Sequence, residues 1–243
     1  MTQLELCLQT ETHLAANVAL AREFGVARLE LCSRMDQDGL TPTPAQVALA
    51  RQHWGDGPGL VAMLRPRGGD FCYQRSELYQ MQSELVQLAA AGADAVVLGV
   101  LTPAQQLDMA ALTELCGFAT DLGLTVAVHR AIDACANQSL AWVQLQTLPV
   151  KRVLSAGTSW QSQLPATQGI PQLQAFLAAG GPELVIGGGI NAGNIAAIRA
   201  QLPPDSAYSF HLHSAVQQQG LVQADLLQAV LLQLSGAMSG QQG

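Results

Sequence analysis

The chain is poor in charge, in aromatic side chains and in long apolar runs. Of its 243 residues only 12% are charged and 5% aromatic. No apolar run approaches the ~20 residues of a transmembrane helix, and Met1–Gln9 lacks the basic region of a secretory leader. No membrane partner is expected. A net charge of −7 argues against nucleic acid as a partner and leaves room only for a local basic pocket. Five cysteines, an odd number, read as reduced thiols in the cytoplasm.

What is present is apolar. Hydrophobic residues make up 49% of the chain, enough for one sizeable core. No composition break divides the sequence, so residues 1–243 read as one domain, with a small polar tail at 235–243 expected to fray. Short apolar runs recur at Leu4–Leu8, Arg28–Ser33, Gly59–Pro66, Ala95–Leu101, Leu124–Ala131, Arg152–Gly157, Leu184–Gly189 and Tyr208–Ser214. Their starts lie 24 to 36 residues apart, about one strand–helix unit each. Eight such units predict a (β/α)8 TIM-type barrel, whose chemistry sits at the carboxyl ends of the strands.

Helices fit between the runs. Leu78, Met81, Leu85 and Leu88 follow helical spacing, with Gly92 closing that helix. Asp108 is an N-cap for a helix carrying Leu112, Leu115, Ala119 and Leu122. Pro171 fits the first turn of the helix bearing Leu173, Phe176 and Leu177. Ile195, Ile198 and Leu202 form a short stripe stopped by Pro203-Pro204, and Ala224–Leu234 is the last helix. The Gln/Ser/Thr-rich Ser159–Gly169 reads as a long loop after the sixth strand.

The strand ends carry the polar residues. Leu-Glu-Leu-Cys occurs twice, at Leu4–Cys7 and Leu29–Cys32. Side chains alternate along a strand, so each Glu–Cys pair shares one face. A charged Glu30 does not suit the helix layer, so Glu5, Cys7, Glu30 and Cys32 are expected to point into the barrel. There the thiols either fill space or act, and the carboxylates either act or pair with Arg65 or Arg67. Arg65-Pro66-Arg67-Gly68-Gly69-Asp70 can offer two forked donors to one anion, with Asp70 holding an arginine; the same residues can instead close the barrel top as an internal network. His129, ending the fifth run, is an acid/base or metal candidate, with Asp133 orienting it or capping a helix. Ser155-Ala156-Gly157 and Gly187-Gly188-Gly189 end the runs near which barrels often hold phosphate, or simply turn the chain. His211 and His213 are same-face neighbours that can share a metal or help bind an anion. Cys116 and His53 read as structural, and the three tryptophans show no pattern.

Together these clusters resemble the CutC family, often called copper homeostasis proteins. The matching pieces are Leu29–Cys32, Gly39-Leu40-Thr41-Pro42, Arg65–Tyr73, Gly99-Val100-Leu101, His129–Asp133, Arg152–Gly157 and Gly187–Ile190, spread over nearly the whole chain. The resemblance implies a cytosolic TIM-type barrel, a homodimer and a role in copper handling. Two departures stand out. The family usually ends its eighth strand in His-x-Ser-Ala, whereas here His211-Leu212-His213-Ser214-Ala215 lets either histidine take that place. The Ser159–Gly169 loop also differs.

Two functions follow. In the first, Cys7 and Cys32 bind Cu(I), which favours thiolates. In the second, the protein is an enzyme acting on a small anionic metabolite, phosphorylated ones included. Glu30, His129 and Asp133 would then be catalytic. Glu5, Arg65, Arg67, Asp70, Ser155, Gly157, Gly188, Gly189, His211 and His213 would bind substrate.

Overall fold

Parallel strands need a crossover helix to bring the chain back, and the sequence supplies one after each apolar run. The computed structural model describes residues 3–235. Its strands are β1 Gln3–Gln9, β2 Arg28–Cys32, β3 Leu60–Met63, β4 Ala95–Leu98, β5 Thr125–Val128, β6 Val150–Ser155, β7 Glu183–Ile186 and β8 Tyr208–Leu212. All eight are parallel and close into a barrel in sequence order, β8 pairing with β1. The outer helices are α1 Leu14–Glu23, α2 Pro44–Trp54, α3 Arg75–Ala90, α4 Met109–Asp121, α5 Gln138–Leu145, α6 Ile170–Ala179, α7 Ile195–Arg199 and α8 Ala224–Ser235. A small hairpin, β9 Gln217–Gln218 and β10 Leu221–Val222, sits between β8 and α8. The tail after Ser235 lies outside the described residues. None of the described helices is long and apolar enough to cross a membrane.

Local chemistry sets these boundaries. Asp108 caps α4, its carboxylate accepting the Ala111 N–H at 3.0 Å. Thr43 and Gln46 form a capping box on α2. Pro171 lies in the first turn of α6, with Gly169 as the N-cap. The α7 helix ends at Arg199, so Leu202 packs into the core from beyond it. Ser159–Gly169 is less irregular than expected: it contains two short 3-10 turns, Trp160–Ser162 and Ala166–Gln168.

Alternation along the strands divides the core. Leu4, Leu6, Leu8, Leu29 and Leu31 face outward and join the main core. Cys7, Cys32, Val61, Met63, Val97 and Ala127 face inward as a separate cluster, with Met35 packed on it. The amino-terminal half of the interior near β1, β2, β7 and β8 is charged. There Arg28 meets Glu5 at 3.2 Å, Glu183 at 2.7 Å, Ser209 at 2.6 Å and Gln3 at 2.7 Å. Glu5 and Arg28 are register partners on adjacent parallel strands, which brings the two charges together.

Candidate functional site

A cavity of about 160 Å³ opens inside the barrel at the carboxyl ends of the strands. Sulfur forms much of its floor. Cys7 registers with Glu30 and Cys32 with Gln9, so the two thiols are offset along adjacent strands. Their sulfurs are still only 3.7 Å apart. Met63, on β3, and Met35, in the turn after β2, line the same cavity. That turn folds back through a Ser33–Leu40 bridge. A Cβ built on Gly39 would stand 3.3 Å from the Cys32 sulfur and 3.6 Å from that of Met35, which shows how tightly the turn brings thioether to thiol.

A compact titrating cluster shares this floor. His211 Nδ1 is 3.0 Å from Glu5 Oε1, and His211 is also within hydrogen-bonding reach of Cys7. Cys32 donates to Glu30 at 3.4 Å. Burial opposes ionisation of Glu5, but His211 and the Arg28 and Arg152 guanidiniums hold its carboxyl below the usual range. Burial dominates at Glu30, helped by the charges of Cys7 and Glu5, and pushes it up to about 8. The hydrogen bond with Cys32, with His211 and His213 beside it, pulls the Cys7 thiol well below its ordinary value against the effect of burial. Cys32 moves the opposite way, raised by Cys7 and by burial. The pair thus loses its first proton early and its second late. Burial works against a charge on His211, but Glu30, Cys7 and Glu5 outweigh it and keep the ring protonated.

The mouth is different in kind. Arg65 is 2% exposed. Its Nη1 donates to the carbonyls of Gln37, Asp38 and Gly39, and its Nη2 to that of Gly69. It thereby ties the loop after β2 to the loop after β3. His129 accepts the Ala131 N–H on Nδ1 at 3.1 Å, which leaves the proton on Nε2. Burial, then the charge of Arg65, depresses its pKa to about 3, so the ring is neutral. Gly99 makes room for it: a Cβ there would sit 2.6 Å from His129 Cε1 and from the Ala131 Cβ. Arg130 lies over the Trp160 ring at 5.0 Å, and Arg65 over Phe71 at 5.0 Å. Four buried polar atoms without a partner among the described residues lie here: Arg65 Nε, His129 Nε2, Arg130 Nη2 and His213 Nε2.

Of the residues singled out in the sequence, Cys7, Glu30, Cys32, Arg65, His129, His211 and His213 line this cavity, and Glu5 lies behind His211. The others do not converge on it. Arg67 points outward and pairs with Asp70 at 2.9 Å and Glu77 at 2.6 Å, so the two arginines do not form one fork. Neither carboxylate of the Leu-Glu-Leu-Cys repeats pairs with Arg65 or Arg67; Glu5 takes Arg28, its register partner. Asp133 neither orients His129 nor lines the cavity. It is buried behind it, accepting from Ser155 Oγ, the Ala156 N–H and Arg130 Nε. Ser155 is buried, Gly157 and Gly188 are half-buried against the Ser159–Gly169 loop, and Gly189 is exposed; none of the four lines the cavity. The Ala166 N–H donates to the Gly188 carbonyl at 2.9 Å, and a Cβ on Gly157 would meet the Gly169 carbonyl oxygen at 2.4 Å.

Sequence reasoning passed over Arg130, Met35, Met63, Phe71 and Trp160 as lining residues. Arg130 had a signal, its place beside His129 at a strand end. Met63 shares the inward face of β3 with Val61, which strand alternation could have shown. Met35 and Trp160 reach the cavity from loops, where no periodicity points to a face.

The CutC family model matches residues 2–203. The chain belongs to the CutC family. It is 37% identical to the CutC family protein of Vibrio campbellii over 202 residues, 82% of this chain and 78% of that one. It is also similar to the crystal structure of a Streptococcus agalactiae CutC whose name assigns it to copper homeostasis. That match has a TM-score of 0.76 and 28% identity, over 87% of this chain and 98% of the other. The CutC barrel further resembles, in fold alone, 3-hexulose-6-phosphate synthase from Salmonella typhimurium, with a TM-score of 0.65 at 16% identity over 97% and 99% of the two chains.

Proposed function

We propose that this CutC protein handles Cu(I) in the cytoplasm, as a homodimer, and that the metal binds on the cavity floor. One observation carries the reading: the Cys7 and Cys32 sulfurs lie 3.7 Å apart in a cavity also lined by Met35 and Met63. Thiolate and thioether are the donors that select Cu(I) over harder ions. Cys7 and Cys32 would be its ligands, with either methionine available as a third. The arginines nearby are no obstacle. Two thiolates and one Cu(I) sum to a single negative charge, which Arg65 and Arg130 complement. The cytoplasm suits a protein whose buried thiols stay reduced, and the dimer follows from the family resemblance. Titration of the reduced protein with Cu(I) against a competing chelator tests the site. One equivalent should bind, and Cys7→Ser with Cys32→Ser should abolish it; equal affinity in wild type and double variant would refute it.

A second reading, an enzyme acting on a small anion, is favoured by a separate observation. The unpaired donors at the mouth, His129 Nε2 and Arg130 Nη2 among them, need an oxygen acceptor, and a metal held on the sulfurs satisfies none of them. Glu30, a buried carboxyl pushed up to about 8 and facing the same space, is then the proton-transfer group. His129 serves as a neutral hydrogen-bond donor instead of a base, because its only free nitrogen already carries the proton.

A further inference from the structure

The mouth has the charge and donors of an anion site, while several nearby backbone N–H groups of the kind that cradle phosphate are already bonded within the chain. Arg65 is 2% exposed, and among the described residues no carboxylate pairs with it. Its four acceptors are carbonyls, which orient a guanidinium without neutralising it. A buried charge without a counter-charge is costly. Arg130 spends Nε on Asp133 and keeps Nη2 unpaired. His129, 4% exposed, presents a buried Nε2–H with no acceptor. All three side chains line one cavity.

The cavity has room for a small ligand. At about 160 Å³ the cavity resembles the roughly 150 Å³ hole that accepts benzene, about six heavy atoms. In the corner where such barrels hold phosphate, near the ends of β7 and β8, several of the neighbouring backbone N–H groups are already used within the chain. The Ala156 N–H donates to Asp133 at 3.0 Å and the Gly157 N–H to Ser155 Oγ at 2.8 Å. Past β7, the Asn191 N–H donates to Asn194 Oδ1 and the Gly193 N–H to Asn191 Oδ1, both at 2.9 Å. The loop carrying Ala166 packs over Gly188.

We propose that the mouth binds a short unphosphorylated carboxylate with an oxo or hydroxy oxygen beside it, the carboxylate against Arg65 and Arg130 and the second oxygen accepting from His129 Nε2–H. This narrows the enzyme reading given above and rests on it. Pyruvate and lactate have about six heavy atoms and both oxygens, so they fit the volume and the donor set together.

The test is calorimetry and thermal shift on the reduced, metal-free protein with pyruvate, lactate, propionate, inorganic phosphate and glyceraldehyde 3-phosphate. Pyruvate or lactate should bind at least tenfold more tightly than propionate, which lacks the second oxygen. Arg130→Gln should weaken that binding tenfold or more and Arg130→Lys by less, whereas Arg67→Ala, outside the cavity, should leave it unchanged. His129→Gln should reduce the preference over propionate without changing propionate affinity. Binding of phosphate or the triose phosphate without either carboxylate would overturn this inference and leave the anion-site reading standing. Binding of no anion by a folded wild type would overturn both. Unchanged carboxylate affinity in Arg130→Gln and Arg130→Lys would remove the ligand from the mouth.

Discussion

The two ends of the barrel interior are both polar and buried, yet they are built on opposite principles. At the amino-terminal end Arg28 is surrounded by Glu5, Glu183, Ser209 and Gln3, each within hydrogen-bond distance. Its partners are internal. At the carboxyl end the arginines have carbonyls or a single carboxylate, and Arg65 Nε, Arg130 Nη2, His129 Nε2 and His213 Nε2 have no partner among the described residues. Arg152 is the exception at the amino-terminal end, its Nε unpaired and its pKa lowered by burial. A polar network that closes on itself holds a barrel together. One that leaves donors open around a cavity is arranged for something that enters.

The largest effect separating the two ends should come from removing their arginines. Arg28→Ala takes the guanidinium from Glu5 and Glu183, leaving them His211 and Ser209, and should cost about 3–5 kcal/mol in urea unfolding. Arg65→Met leaves four loop carbonyls short of a donor but also removes a buried charge that has no counter-charge, and should cost less, about 1–3 kcal/mol. Equal losses would mean that the mouth is as structural as the opposite end.

His129 sharpens the contrast through pH. Its folded-state pKa is about 3 against an ordinary 6.5. The unfolded chain therefore binds a proton that the folded one refuses between those values, and stability falls as pH drops from 6.5 to 3. The slope is at most about 1.4 kcal/mol per pH unit. His129→Gln should flatten that part of the stability curve, and an unchanged curve would show that the ring is not buried neutral.

A smaller loss is expected from Gly99→Ala, which forces its new methyl against His129 and Ala131. Overpacking of this kind costs about 1–3 kcal/mol, and the displaced imidazole should show as a shifted His129 ring resonance. The least effect belongs to Arg67→Ala. Its ion pairs with Asp70 and Glu77 are partly exposed, and their loss should change stability by less than about 1 kcal/mol.

The barrel was legible because period-two alternation, caps such as Asp108 and breaks such as Pro203-Pro204 are local signals. The inward face of β1 and β2 was legible too: alternation puts Glu5 with Cys7 and Glu30 with Cys32, and the charge of Glu30 turns that face away from the helices. Register was not. Nothing in the order of residues says that Glu5 sits opposite Arg28 instead of reaching Arg65, or that Arg65 turns to backbone carbonyls while Arg67 turns to solvent. The surroundings of the glycines after β6 and β7 were illegible for a related reason. Glycines after β6 and β7 mark close backbone approach, and here the approaching partner is the Ser159–Gly169 loop. Met35 and Trp160 come from loops whose paths are set by tertiary contacts, such as the Ser33–Leu40 bridge and the stacking of Trp160 with Arg130.

The central claim, that the floor of this cavity is a sulfur site for Cu(I), is tested most directly by X-ray absorption at the copper edge. The reduced protein is loaded with one equivalent of Cu(I), and wild type is compared with the Cys7→Ser, Cys32→Ser variant. The expected spectrum for wild type is Cu(I) with sulfur as its only near neighbours, lost in the variant. Nitrogen or oxygen neighbours, or a sulfur signal that survives the double substitution, would contradict it.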